Sequence, residues 1–110
     1  MSAIIAACNM GGEATIKVVS PSEIYVSIDK PEHICITSFS VSKIGPDRAV
    51  NVWQVFRNTE SKVCIDQFQI GKVPGGFRGV GEPIIMSTGR YEITALGGEY
   101  AIRQSFDVNN

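Results

Sequence analysis

From Thr15 to the C-terminus, apolar residues recur at every second position in short bursts, and residues that break regular structure close each burst. Ile16 and Val18 end at Ser20-Pro21-Ser22, and Ile24, Val26 and Ile28 end at Asp29-Lys30-Pro31. Ile34 and Ile36 lead into Phe39 and Val41, which stop at Gly45-Pro46-Asp47. Val50, Val52, Trp53 and Val55 give way to Asn58-Thr59-Glu60-Ser61, a hairpin-turn composition ahead of Val63 and Ile65. Phe68/Ile70, Ile84/Met86, Tyr91/Ile93/Ala95 and Tyr100/Ile102/Phe106 complete the series. A repeat of two is the repeat of side chains on a pleated strand, whereas a helix repeats at about 3.6. Ser20-Pro21-Ser22-Glu23 has the shape of a helix capping box, but alternation follows it at once. The pattern predicts an all-β chain: an antiparallel β-sandwich of roughly seven to eight short strands with little or no helix.

The chain has 110 residues, the length of one domain. Residues 1–14, with Asn9-Met10-Gly11-Gly12, read as an arm or edge strand, and 15–110 as the sandwich. Residues 71–83 hold five glycines and two prolines and break the alternation. They are expected to form a long loop, the likeliest working surface, with Phe77 and Arg78 at its tip.

Composition narrows the function. The formal net charge is -1 and the cations are scattered singly, from Lys17 and Lys30 to Arg90 and Arg103. Nucleic-acid or anionic-membrane binding calls for a basic stripe, so neither partner is expected. Cys8, Cys35 and Cys64 are odd in number and widely spaced. They read as small buried hydrophobes in strands, Ile34-Cys35-Ile36 and Val63-Cys64-Ile65, in a reducing, cytoplasmic setting. A disulfide across the sandwich is the open alternative. Ile5-Ala6-Ala7-Cys8 has the shape of a lipoprotein cleavage site, but no cation precedes it and the apolar run is short, so no export is expected.

The motifs that carry chemistry are incomplete. The glycine-rich stretch lacks G-x-x-x-x-G-K-[ST] and G-x-G-x-x-G, so no nucleotide cofactor is expected. Ser40-Val41-Ser42-Lys43 has the S-x-x-K spacing of acyl-enzymes but sits at a strand end. His33 is the single histidine, and no ligand cluster has metal-binding spacing. No side-chain-catalysed reaction, metal or cofactor is expected. Trp53 lies between alternating valines, so it reads as a core anchor and less readily as a ligand platform. If Val52 faces in, Trp53 faces out, and both sides of that strand carry apolar weight. Ile84-Ile85-Met86 and Ala101-Ile102 repeat this two-sidedness, which suggests an oligomer.

Gly89-x-Tyr91-x-Ile93, followed by the turn Leu96-Gly97-Gly98-Glu99, resembles the last hairpin of an immunoglobulin-like sandwich. The resemblance implies that the Tyr91 hydroxyl ties its strand to the preceding corner. Trp53 resembles the tryptophan of that fold's third strand. Ile93 stands where the fold's second cysteine would be, so no inter-sheet disulfide is implied there. In size and style the chain is similar to β-sandwich accessory proteins of bacteriophage particles, such as capsid decoration or tail proteins; a jelly-roll order is the other sandwich considered.

Two functions follow as expectations. The first is a structural or assembly protein, of the kind found in a virion, that forms a homo-oligomer or larger protein assembly through apolar strand faces. The second is a binding module for a carbohydrate, peptide or protein, including an inhibitor acting by occlusion. Phe77, Arg78, Trp53 and Tyr100 are its candidate contacts.

Overall fold

The computed structural model describes residues 13–80, 86–98 and 100–109. Most of the expected arm, with Cys8, lies outside them, as do Ile84 and Ile85. The described residues form eight strands: β1 (Glu13–Ser20), β2 (Glu23–Asp29), β3 (Ser38–Ile44), β4 (Ala49–Arg57), β5 (Gln67–Gln69), β6 (Phe77–Val80), β7 (Gly89–Gly97) and β8 (Tyr100–Val108). They build a three-stranded sheet, β1-β2-β5, and a five-stranded sheet, β6-β4-β3-β7-β8. Every pairing is antiparallel. The two sheets pack face to face, so the chain is an all-β sandwich.

Alternation decides the inner faces. On β2, Ile24, Val26 and Ile28 are buried, while Tyr25, Ser27 and Asp29 turn outward. On the larger sheet, Phe39 and Val41 of β3 pair with Val55 and Trp53 of β4, and with Ala95 and Ile93 of β7. All six are buried. Phe68 of β5 joins the layers: its ring lies 4.1 Å from Phe39 and 5.9 Å from Trp53, centroid to centroid. Burying such an apolar side chain contributes about 1.5–3 kcal/mol, so this cluster is a large part of what holds the layers together.

The β7–β8 hairpin closes at Gly97 opposite Tyr100, with Gly98 at φ 62°. Without a Cβ, Gly98 takes the left-handed conformation that a two-residue hairpin loop demands. The Tyr91 hydroxyl donates to the Ser87 carbonyl oxygen at 2.8 Å, so the strand is tied to its preceding corner. Trp53 lies on β4, one strand beyond the third strand to which the resemblance assigned it, and opposite Val41 there.

Glu13 and Ala14, the end of the stretch read as an arm or edge strand, open β1, which is an edge strand. Other stretches differ from expectation. The glycine-rich stretch contains β6, and Phe77 is not at a loop tip: it is buried 5.7 Å from Phe39. Gly75 and Gly76 make the turn, and four residues of ladder against β4 follow. Neither Ile34-Cys35-Ile36 nor Val63-Cys64-Ile65 is a strand; both are irregular connections. Their cysteines form a disulfide, with Cα atoms 5.1 Å apart. Alternation there marks an extended backbone that drops Ile34, Ile36 and Ile65 onto the core without entering a ladder. Cys64 is exposed and Cys35 half-buried, so neither is a core hydrophobe. The pairing removes the cysteine argument for a reducing compartment.

Candidate functional site

The outer face of the three-stranded sheet carries the clearest built surface. Register places Lys17, Tyr25 and Gln69 in one row across β1, β2 and β5. Thr15, Ser27 and Gln67 form the next row. Directly opposed side chains on antiparallel strands stand about 4.5–5.5 Å apart at Cβ, so each row is one continuous surface. These residues line an open groove of about 530 Å³.

The inward residues of the same strands fix this geometry. Ile24, Val26 and Phe68 are buried, and a one-residue slip would carry them to solvent, so Tyr25, Gln67 and Gln69 are held outward. Tyr25 is 39% exposed, a large ring left open to solvent. Its hydroxyl donates to Glu23 Oε2 at 2.5 Å. That hydrogen bond to a carboxylate, with a smaller contribution from burial and from the carboxylate's charge, holds the phenol protonated above its usual range. The groove surface is therefore mainly apolar, built on the Tyr25 ring and the carbon stems of its neighbours, with two planar amides, two hydroxyls and one ammonium as its few polar groups.

The residues expected from sequence lie elsewhere. Trp53 is 2% exposed, Tyr100 5% and Phe77 6%, so none of the three rings faces solvent. Arg78 does, on the outer face of the larger sheet. There its guanidinium lies 5.7 Å from the Phe56 ring centroid and its Nη1 donates to the Arg57 carbonyl oxygen at 3.3 Å. No two of the four are brought together as one surface patch. Tyr25, Gln67 and Gln69 were missed, although the signal was present: they are the polar half of the alternation whose apolar half defines β2 and β5.

The larger sheet turns Ser38, Ser40, Gln54, Glu92, Thr94, Arg103 and Ser105 outward, so its outer face is chiefly polar. Phe56, Ile44, Leu96 and Ala101 interrupt it, the last two as a direct pair across β7 and β8. On β4 the inward residue is Trp53, and its neighbours Val52 and Gln54 are half-buried. Ser40 and Lys43 stand three apart on a strand, on opposite faces, and the Lys43 ammonium donates instead to Ser87 Oγ at 2.6 Å. Among the described residues, no three His, Cys, Asp or Glu side chains converge as a metal site.

Comparison with known proteins adds no assignment: no family model, no curated protein and no solved structure matches this chain.

Proposed function

We propose that this chain is a recognition module that binds a carbohydrate on the outer face of β1-β2-β5. The observation that carries the reading is the Lys17–Tyr25–Gln69 row, an exposed aromatic ring flanked on both sides by long polar side chains. A sugar ring has an apolar C–H face that stacks on a phenol and a hydroxyl rim that both donates and accepts. Amides and hydroxyls answer the rim, and Tyr25 answers the face. The strand scaffold sets the geometry in advance, which lowers the ordering cost of binding. The test is a glycan array probed with the wild-type chain and with Tyr25→Ala. Retention of a glycan by wild type and its loss in the variant supports the reading. Absence of any retained glycan, or equal retention by both proteins, contradicts it.

An assembly protein is the second reading, and one observation favours it. β1 is an eight-residue edge strand with Val18 and Val19 exposed near its end. β1 also lies beside β8, so its exposed Val18–Val19 end is the part of this unpaired edge that offers a template for pairing with another chain. The Tyr91–Ser87 tie supports an immunoglobulin-like sandwich, of the style seen in bacteriophage accessory proteins. Sedimentation velocity at tens of micromolar decides this reading. A dimer or larger species that dissociates on Val19→Lys supports it, and a single monomeric species opposes it.

A further inference from the structure

The two halves of the Cys35–Cys64 disulfide have different surroundings. Cys64 is exposed, on the connection between β4 and β5, and Cys35 is half-buried, on the connection between β2 and β3. Arg57, at the end of β4, places Nη1 2.8 Å from Cys35 Sγ but 4.0 Å from Cys64 Sγ. The same nitrogen lies 3.4 Å from the Val63 carbonyl oxygen, and the Arg57 amide donates to the Thr37 carbonyl oxygen at 2.8 Å. The guanidinium is thus held over one sulfur by contacts on both connections.

The Cys35 side is also fixed from beneath. The Thr37 amide donates to the Leu96 carbonyl oxygen at 2.7 Å. A Cβ on Gly97 would stand 2.2 Å from the Cys35 carbonyl oxygen, so the backbone at Cys35 lies directly against β7. One sulfur is therefore open to an incoming nucleophile. The other is anchored beside a permanent cation.

We propose that this disulfide is a site of reversible exchange with low-molecular-weight thiols, entered at Cys64 with Cys35 as the leaving group. The incoming thiolate forms a new S–S bond to Cys64 Sγ. The Cys35–Cys64 bond breaks, and its electron pair stays on Cys35 Sγ, where the Arg57 N–H donates to the new thiolate. A second thiolate attacks the small-molecule sulfur of the mixed disulfide and releases Cys64 as thiolate. Two thiols are oxidised to one small-molecule disulfide, and the protein disulfide is reduced by two electrons. Exchange is governed by access to the attacked sulfur and by stabilisation of the departing one, and the two cysteines divide these roles. A disulfide with a purely structural role would open only when the domain unfolds.

The test uses the full oxidised chain in a Cys8→Ser background, with 2-mercaptoethanol as the probe, acid quenching and peptide mass mapping. The expected result is a mixed disulfide confined to Cys64 and a second-order rate that is flat at low urea. That rate should fall about tenfold in Arg57→Gln and stay unchanged in Arg90→Gln, whose guanidinium bonds Asp107 and Ser105 on β8, since the hydrogen bond to the departing sulfur is lost only in the first. An adduct on Cys35, an unchanged rate in Arg57→Gln, or a rate that climbs with urea from the first addition overturns the proposal. If Arg57→Gln does not fold, the adduct position and urea dependence of the background protein decide the matter alone.

Discussion

The Phe68 ring lies 4.1 Å, centroid to centroid, from the Phe39 ring, and this contact joins the small sheet to the large one. Phe68 belongs to β5, a strand of three residues whose pairing with β2 is extended by the Ile28 amide donating to the Asp66 carbonyl oxygen and the Ile70 amide to the Ile24 carbonyl oxygen. The ladder and the aromatic cluster together hold the strand, and Gln67 and Gln69 face outward as a consequence. Replacing Phe68 with alanine should cost about 3–5 kcal/mol. That is a large fraction of the 5–15 kcal/mol typical of a whole domain. Urea unfolding measures it, and a cost below about 1 kcal/mol would contradict the role given to this ring.

Two tyrosines of the same hairpin should respond oppositely to loss of the hydroxyl. Tyr91 is buried and its hydroxyl donates to the Ser87 carbonyl oxygen. Tyr91→Phe removes that bond and should destabilise by about 0.5–1.5 kcal/mol. Tyr100 is also buried, yet its hydroxyl has no hydrogen-bond partner among the described residues. Tyr100→Phe should therefore be neutral or stabilising, because a desolvated hydroxyl without a partner is a cost. Thermal denaturation of both variants gives the comparison.

The adjacent glycines of that hairpin should also separate. A Cβ at Gly97 would collide with the Cys35 backbone at 2.2 Å, which no side-chain rotation relieves. At Gly98 a Cβ meets nothing within 4 Å, and only the φ of +62° is unfavourable. Gly98→Ala should cost about 1–2 kcal/mol, the usual penalty for a left-handed residue. Gly97→Ala should cost clearly more, as read from denaturant midpoints.

Removing the disulfide by the double substitution Cys35→Ser and Cys64→Ser should lower stability by about 3–4 kcal/mol, from the entropy of closing this loop. The bridge spans 29 positions of sequence. Hydrogen exchange should rise first between Asn58 and Gln69, which carry the released connection and β5. Uniform loss of protection across both sheets would show that the bridge instead supports the whole fold.

Wherever alternation coincided with a ladder, as in Ile24-Tyr25-Val26-Ser27-Ile28, the strand and its inward face were legible. Alternation reports an extended backbone and not its partner. Ile34-Cys35-Ile36 and Val63-Cys64-Ile65 therefore read as strands when they are connections. Phe77 read as a loop residue because its glycine neighbours hid four residues of β6. The site was hidden differently. Tyr25 was identifiable as outward, but its union with Gln67 and Gln69 depends on β5 pairing with β2 across a long separation. No local signal encodes that pairing.

The Lys17–Tyr25–Gln69 row is the proposed recognition surface. Its most direct test titrates the isotopically labelled chain with the oligosaccharide retained on the glycan array and follows amide shifts by NMR. The account predicts saturable shifts centred on Thr15, Lys17, Tyr25, Ser27, Gln67 and Gln69, abolished by Tyr25→Ala. Shifts centred on Ser40, Gln54 and Thr94 of the larger sheet, or none at all, would contradict it.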